Sequence, residues 1–296
     1  MITDVSTFFW EGTSPWFSLR GGRAGGISGA GPTGVESVRD DVAQTSILLG
    51  YASNHLNIHI PYESIAARAA SDERVSAGFV GIDPLDDSAF DTLASSLELG
   101  ASGVVVSPSD QNCRPTHERF MRLMDECDSR RLPVMVSNPG LCCAASRLDF
   151  ADPALLDEAA HAFPKLTLII GELRVHRELA LLMLARHENV YAETSTLVSN
   201  PPALHSALHS AHHTGVTDKV LFGSGAPFTT AELAVQRIFS INKLGADPCL
   251  AVPREKLREI VERDSLALLG LEDAGTAIVR AAAPHTPSRS RTGINT

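Results

Sequence analysis

Basic charge is scarce in this sequence. Its 296 residues carry 25 Lys and Arg against 35 Asp and Glu, which gives a formal net charge of −10. Binding to the phosphates of nucleic acid or to an anionic membrane needs a basic surface, so this charge disfavours both partners. The five cysteines include no Cys-x-x-Cys pair, and we expect reduced thiols rather than a disulfide framework or a structural zinc site.

Long hydrophobic runs are also lacking. A membrane-spanning helix needs about 18 or more consecutive apolar residues, and we find no such run. The first residues, MITDVSTFFWEG, contain acidic side chains and no basic segment of the kind that begins a signal peptide. We therefore expect a cytoplasmic protein that does not enter a membrane.

Short apolar runs alternate with longer amphipathic stretches, as in repeated βα units around a parallel sheet. The predicted strands cover 1–5, 56–60, 76–82, 103–107, 133–137, 166–173, 189–195 and 220–224. The predicted helices cover 35–52, 62–71, 87–99, 117–130, 153–163, 176–187, 201–213, 230–244 and 254–269. This order predicts the α/β class and a single (β/α)8 TIM barrel over residues 1–275. We expect the Gly-rich segment 20–34 to form a flexible loop over the barrel mouth, and 281–296 to form a disordered tail.

Two of the predicted helices carry capping signals at their N-termini. Asp152 can accept hydrogen bonds from free backbone amides, with Pro153 at the first helical position. Thr229 and Glu232 have the spacing of a capping box.

Two further motifs favour structural interpretations. The sequence GAGPTG has the spacing of a dinucleotide-binding loop, but no strand precedes it and Pro32 lacks the amide that such a loop uses, so a flexible loop is favoured. His205, His209 and either His212 or His213 could chelate a metal ion along one side of a helix. That helix belongs to the outer ring of the predicted barrel, away from the strand ends, which favours a surface cluster.

In a (β/α)8 barrel, active-site side chains come from the carboxyl ends of the strands and the loops that follow them. The residues there that we expect to bind a substrate are Ser6, Phe8, Trp10, Ser137, Asn138, Arg174, Glu193, Ser224 and Gly225. The residues that we expect to act as catalytic acids or bases are Glu172, Asp83 and His59. As ligands for a divalent metal ion, these strand ends form a poor set.

Several longer blocks resemble one known family. They are LPVMVSNPG, FPKLTLIIGELRVHRELALLMLARHENVYAETS, DKVLFGSGAPF and EKLREIVERDSLALLGL. Their order and spacing are similar to the amidohydrolase-related family, which comprises metal-dependent (β/α)8 hydrolases and decarboxylases. The resemblance extends over most of residues 1–271 and implies an amidohydrolase-like barrel.

The same comparison implies a changed metal site. Where the family has Asp-x-His-x-His on its first strand, this chain has Ser6 and Phe8 at the histidine positions. Ser137 replaces the histidine of the fifth strand, Glu172 replaces that of the sixth, and Gly225 replaces the acid of the eighth. Glu172 alone keeps a group that binds metal well, so we expect no bound metal and no other cofactor.

Three functions remain open at this point. The first is a hydrolase, or a decarboxylase-like lyase, that acts on a small organic substrate without the usual divalent metal; Phe8 and Gly225 would leave an apolar pocket for it. The second is a non-catalytic barrel that binds a ligand or a partner. The third is a metal-dependent hydrolase whose ligands are rebuilt from His59, Asp83, Glu172 or Glu193. Related barrels often form homodimers, and we leave a homodimer open.

Overall fold

The computed structural model describes residues 1–10, 42–141, 143–171, 173–174, 176–244 and 251–282. The predicted loop 20–34, the predicted catalytic residue Glu172 and the tail from residue 283 onward lie outside these ranges. Residues 281 and 282, predicted to begin the disordered tail, end a helix instead. None of the helices in the described ranges is both long and apolar enough to cross a membrane.

The strands are β1 Thr3–Phe8, β2 Thr45–Leu49, β3 Tyr51–Ser53, β4 Ile58–Ile60, β5 Val75–Gly81, β6 Gly103–Val106, β7 Val134–Val136, β8 Leu168–Ile170, β9 Val190–Glu193 and β10 Val220–Leu221. The helices are α1 Tyr62–Ser71, α2 Ala89–Glu98, α3 Glu118–Arg130, α4 Asp157–Ala162, α5 Arg177–Arg186, α6 Ser195–Val198, α7 Pro201–Thr214, α8 Ala231–Ser240, α9 Arg254–Glu262, α10 Ser265–Leu269 and α11 Ala274–Ala282.

Eight of these strands form one parallel sheet in the order β1-β2-β5-β6-β7-β8-β9-β10. Backbone hydrogen bonds then join the last strand to the first. The Val5 amide donates to the Phe222 carbonyl at 3.0 Å, and the Gly225 amide donates to the Ser6 carbonyl at 3.0 Å. The sheet is therefore a nearly closed barrel, with helices between the successive barrel strands from β2 to β10, which confirms the predicted (β/α)8 fold.

The prediction of the second barrel strand was wrong. The predicted helix 35–52 contains β2, which pairs in parallel with both β1 and β5. The segment 56–60, predicted as a barrel strand, contains β4, which pairs antiparallel with β3 in a separate two-stranded ribbon. The side chains of β4 are buried, exposed and buried in turn, as expected for a strand with one face in water. β2 is almost wholly buried, and a short apolar run of this kind cannot be distinguished from a buried helix by its periodicity.

One predicted cap is confirmed and the other is displaced by one residue. The Asp152 side chain accepts from the Ala154 amide at 2.9 Å, ahead of a 3-10 turn at Pro153–Leu156 that leads into α4. At α8 the cap is Thr230 rather than Thr229, and its hydroxyl accepts from the Leu233 amide at 3.2 Å. The helix begins at Ala231, so the residue before it, Thr230, takes the capping position and Thr229 lies one residue too early.

A buried carboxylate, Asp4, joins the first and last barrel strands. It accepts hydrogen bonds from the Ser6 amide at 3.1 Å and the Thr7 hydroxyl at 3.0 Å within β1. Across the seam it accepts from the Ser224 amide at 2.9 Å and from the Ser224 hydroxyl. Burial raises the pKa of the Asp4 carboxyl above its usual value, while the hydrogen bonds from Ser224, Ser6 and Thr7 act in the opposite direction.

Replacing Asp4 with alanine would leave buried donors on both strands without their acceptor. We expect Asp4→Ala to lower the free energy of unfolding by about 2–4 kcal/mol, measured by urea denaturation. Asp4→Asn keeps one acceptor oxygen and should cost less. Asp87→Ala is the matched control, because the Asp87 side chain is 96% exposed in its ion pair with Arg119 and should change stability by less than about 1 kcal/mol. Equal losses for the variants at Asp4 and Asp87 would contradict this role.

Candidate functional site

A cavity opens where the carboxyl ends of β1, β7, β8, β9 and β10 meet. It has a free volume of about 50 Å³. Its lining residues are Phe8, Ser137, Asn138, Pro139, Arg174, Ser195, Thr196, Ser199, Gly225, Phe228 and Thr229. A buried water needs about 10–15 Å³ by this kind of measure, so the enclosed part admits a few waters or one small chemical group, and the rest of a larger ligand would lie in the open mouth of the cavity. The wall combines hydroxyl groups, one guanidinium group and apolar surface, as is typical of a site for a small organic ligand.

Three cavity residues occupy positions at which the amidohydrolase-related family has metal ligands. Phe8, Ser137 and Gly225 all contribute to the cavity wall. Phe8 and Gly225 have no side-chain donor atom, and Ser137 offers a neutral hydroxyl. Zinc and related ions are usually held by imidazole, thiolate or carboxylate groups. The donors present at these three positions therefore do not fit a divalent metal.

The backbone at Gly225 is also unsuited to an acidic side chain. Gly225 has a φ of 72°, in the left-handed region that glycine adopts most readily. A Cβ atom at this position would lie 3.1 Å from Cβ of Ser195. An aspartate here would thus combine an unfavourable backbone conformation with crowding against Ser195 at the start of α6. Within the described ranges, the structure contains no cluster of three or more His, Cys, Asp or Glu residues placed to hold a metal ion.

A buried carboxylate lies directly behind the cavity wall. Glu193, at the end of β9, is fully buried, and its carboxylate accepts a hydrogen bond from the Ser195 hydroxyl at 2.6 Å. The Ser195 amide donates to the same carboxylate. A Cβ atom at Gly223 would overlap this carboxylate, so the glycine makes room for it. Because Ser195 also lines the cavity, the Glu193 carboxylate lies one hydrogen bond behind a cavity residue.

The remaining predicted substrate-binding residues divide into two groups. Asn138 and Arg174 line the cavity, and Trp10 packs on the cavity residue Phe228 with ring centroids 5.7 Å apart. Ser6 and Ser224 are buried outside the cavity lining, where both hydrogen-bond to Asp4 at the barrel seam.

The predicted catalytic residues Asp83 and His59 lie away from the cavity. Asp83 is buried, and its carboxylate accepts from the Asn54 amide at 2.9 Å and the Leu85 amide at 3.0 Å, which ties the β3–β4 ribbon to the end of β5. Burial raises the pKa of Asp83, and these hydrogen bonds partly oppose that rise. His59 lies on the exposed face of β4.

A second buried carboxylate, Asp110, organises the loops at the barrel mouth. It accepts from the Tyr51 hydroxyl at 2.9 Å, the Gly140 amide at 2.8 Å and the Ser146 hydroxyl at 2.7 Å. Burial raises the pKa of this group. These bonds join the ribbon to the loop after β7, which carries three of the cavity residues. An aspartate after a strand is the only sequence signal for Asp110, and it does not distinguish a loop anchor from a catalytic acid.

The histidine-rich segment forms part of α7, in the outer ring. The rings of His205 and His209 stack with centroids 6.1 Å apart, and those of His209 and His213 lie 4.3 Å apart. These histidines are absent from the lining of the described cavity. The cluster therefore lies in the outer ring, away from the described cavity, with His205 and His209 half-buried and His213 exposed.

Comparison with known proteins agrees with the barrel fold. The sequence profile of the amidohydrolase family matches residues 51–271. No curated protein sequence matches the chain at a significant level. Among solved structures, the chain is similar to an uncharacterised TIM-barrel protein from Bordetella bronchiseptica, with a TM-score of 0.67, 17% identity and coverage of 92% of this chain and 99% of that one.

Two further structures have names that state a reaction. A putative 2-pyrone-4,6-dicarboxylic acid hydrolase from Pseudomonas putida has a TM-score of 0.59 and 14% identity, and the match covers 92% of this chain and 98% of that one. A dihydroxybenzoic acid decarboxylase from Polaromonas sp. JS666, solved with manganese and the inhibitor 2-nitroresorcinol, has a TM-score of 0.59 and 16% identity, with 91% and 97% covered. At these identities the likeness establishes a common fold.

The fold and the position of the cavity define a (β/α)8 barrel whose site lies at the carboxyl ends of its strands. Because the family profile covers most of the sequence, the chain belongs to the amidohydrolase family.

Gly225 allows a direct test of the altered strand end. Gly215 is a matched control, because it too has a left-handed backbone, with a φ of 76°, but a Cβ there would meet no atom within 4 Å. We expect Gly215→Ala to cost about 1 kcal/mol for the backbone alone. Gly225→Ala should cost about 1–3 kcal/mol more, because it also crowds Ser195. The difference is measured by thermal or urea unfolding, and equal costs would show that Ser195 does not limit this position.

Proposed function

We propose that this protein is a hydrolase, or a decarboxylase-like lyase, that acts on a small organic substrate in the described cavity without the usual divalent metal centre. The observation that carries the proposal is that Phe8, Ser137 and Gly225, which stand where the family has metal ligands, line the cavity. The space next to these residues is open to an organic group, and their side chains offer little to a metal ion.

The similar structures support the choice of reaction. One is named as a hydrolase of a cyclic dicarboxylic acid, and another is named as a decarboxylase of an aromatic acid. Both substrates are small planar rings. Phe8 and Phe228 give the cavity of this chain apolar surface against which such a ring can pack.

Without a metal, side chains must transfer protons to and from the bound substrate or water. Glu193 is the buried carboxylate that reaches the cavity through the hydroxyl of Ser195. Such a pair can take a proton from a bound water or substrate: Ser195 gives its proton to Glu193 and accepts one from the ligand. Glu172 remains a second proposed acid or base, outside the described residues. Asp83 and His59 are weaker proposals for catalysis, because they lie away from the cavity.

The proposal is tested on full-length protein purified without a tag or added metal. Hydrolysis of 2-pyrone-4,6-dicarboxylate and decarboxylation of dihydroxybenzoates are assayed before and after treatment with a chelator, and metal content is measured by mass spectrometry. We expect turnover that survives chelation at a metal content well below one per chain. Near-stoichiometric metal with activity lost on chelation would instead support a rebuilt metal centre. Binding without turnover would support a non-catalytic barrel.

The proposed proton transfer predicts the effect of changing Glu193. Glu193→Gln keeps the size of the side chain but removes the base, and we expect kcat to fall by about 10²–10⁴-fold on any substrate that is turned over. Ser199→Ala is the control, because Ser199 lines the same cavity and should leave kcat within about tenfold. Unchanged kcat in Glu193→Gln would assign the proton transfer to another group.

A further inference from the structure

Four histidines are concentrated on α7, in the outer ring of the barrel. Three of them, His205, His209 and His213, follow one another at intervals of four residues, which places them on the same side of the helix. The rings of His205 and His209 are nearly parallel, with an angle of 20° and centroids 6.1 Å apart. The rings of His209 and His213 lie closer, with centroids 4.3 Å apart. These three side chains form a row of closely spaced nitrogen ligands on one helix.

The pair at the C-terminal end of this row has the spacing of a chelate. Two histidines four residues apart on a helix can bind the same metal ion, as in the zinc-binding helix of metalloproteases. Bonds of about 2.0–2.1 Å from zinc to each imidazole place the two ring centroids roughly 4.5–5 Å apart. His209 and His213 therefore reach this geometry by a small rotation of their side chains. His213 is exposed, so an ion can approach the pair from solvent.

His205 belongs to the row but is too far away to share the ion with His213. The two residues are eight positions apart, which is about 12 Å along a helix axis. The His205 ring packs on His209 instead, and its buried Nε2 atom makes no hydrogen bond within the described part of the chain. Buried polar atoms usually have a partner, which can be protein, water or an ion. This nitrogen therefore requires a partner from outside the described residues.

The ligands available on α7 select the kind of ion. The helix contains no Asp, Glu or Cys, so imidazole is the strongest metal ligand that it offers. Imidazole suits zinc, nickel and copper, whereas Mg²⁺ and Ca²⁺ prefer oxygen ligands. Two further features favour a cation here. The protein has a net charge of −10, and His213 lies in the last turn of α7, where the helix dipole attracts positive charge.

We propose that His209 and His213 bind one divalent transition-metal ion of the zinc, nickel or copper class, with water completing its coordination. The described residues contain no cluster of three or more His, Cys, Asp or Glu placed to hold a metal ion, so this site is a two-residue chelate that a chelator can empty. The ion links successive turns of α7 and stabilises the folded helix. The site is independent of the function proposed above, because both histidines lie outside the lining of the described cavity.

Titration calorimetry with two metal ions tests the binding. Full-length protein without a tag is treated with a chelator, dialysed and titrated with zinc chloride or magnesium chloride. We expect one Zn²⁺ to bind per chain and Mg²⁺ to bind at least tenfold more weakly. Excess zinc should raise the melting temperature by about 2 °C or more, because the ion binds the folded state. No zinc binding, or magnesium binding as tight as that of zinc, would overturn the proposal.

Substitutions then locate the site. His213→Ala should weaken zinc binding at least tenfold and abolish the rise in melting temperature, and His209→Gln should have the same effect. His161→Ala is the matched control, because His161 is also an exposed histidine in the last turn of a helix, and it should bind zinc as the wild type does. Circular dichroism without metal verifies that each variant is folded. Zinc affinity that is unchanged in folded His213→Ala, or an equal loss in His161→Ala, contradicts the assignment.

The outcomes separate this site from a metal centre at the strand ends. Zinc bound by α7 is lost in His213→Ala, and turnover of any substrate stays unchanged in that variant. Zinc that His213→Ala retains lies elsewhere and overturns the site on α7. Activity that is lost on chelation in both the wild type and His213→Ala contradicts the proposed metal-free chemistry instead.

Discussion

The hydrogen bonds between Asp4 and Ser224 are the interaction on which the arrangement of the site depends. They join the first and last strands, so they fix where Phe8 and Gly225 lie relative to each other. Both of those residues line the cavity on opposite sides of this seam. A buried carboxylate is costly unless several donors surround it, and here Ser6, Thr7 and Ser224 supply them. This explains why the two serines at these strand ends serve the fold and not the ligand.

The position of the acid distinguishes this site from the pattern of the family. After β10, the left-handed backbone of Gly225 and its closeness to Ser195 disfavour a carboxylate side chain. Glu193 lies at the end of β9, and Gly223, which follows β10, leaves the space that the Glu193 carboxylate fills. The two glycines thus have opposite effects: one keeps the cavity open, and the other lets a carboxylate sit beneath its wall. Ser195 contacts both regions, and it is the point at which the chemistry proposed for Glu193 meets the ligand.

The sequence carried more information on the barrel than on its site. Strands such as β6 and β7 are short, buried and rich in valine, and this pattern predicts a strand rather than a helix. β2 was missed because a buried apolar run fits a helix as well as a strand. Phe8 and Ser137 were predicted as site residues because the carboxyl ends of the strands converge in any such barrel, and Gly225 was predicted from the family resemblance. The roles of Asp4 and Asp110 were not predicted, because they arise from partners far away in the chain.

Charge acts on this site only at short range. The net charge of −10 repels anions at a distance, but salt at physiological strength screens exposed charges beyond about 8 Å. A ligand that has entered the cavity therefore responds mainly to nearby charges such as that of Arg174, which is half-buried and screened less than a charge on the surface. Recognition should then depend on how well the ligand fits the residues of the cavity wall. The replaced ligand positions are consequently part of the specificity of this barrel, because Phe8 and Gly225 contribute to the shape of the space that a ligand must fill.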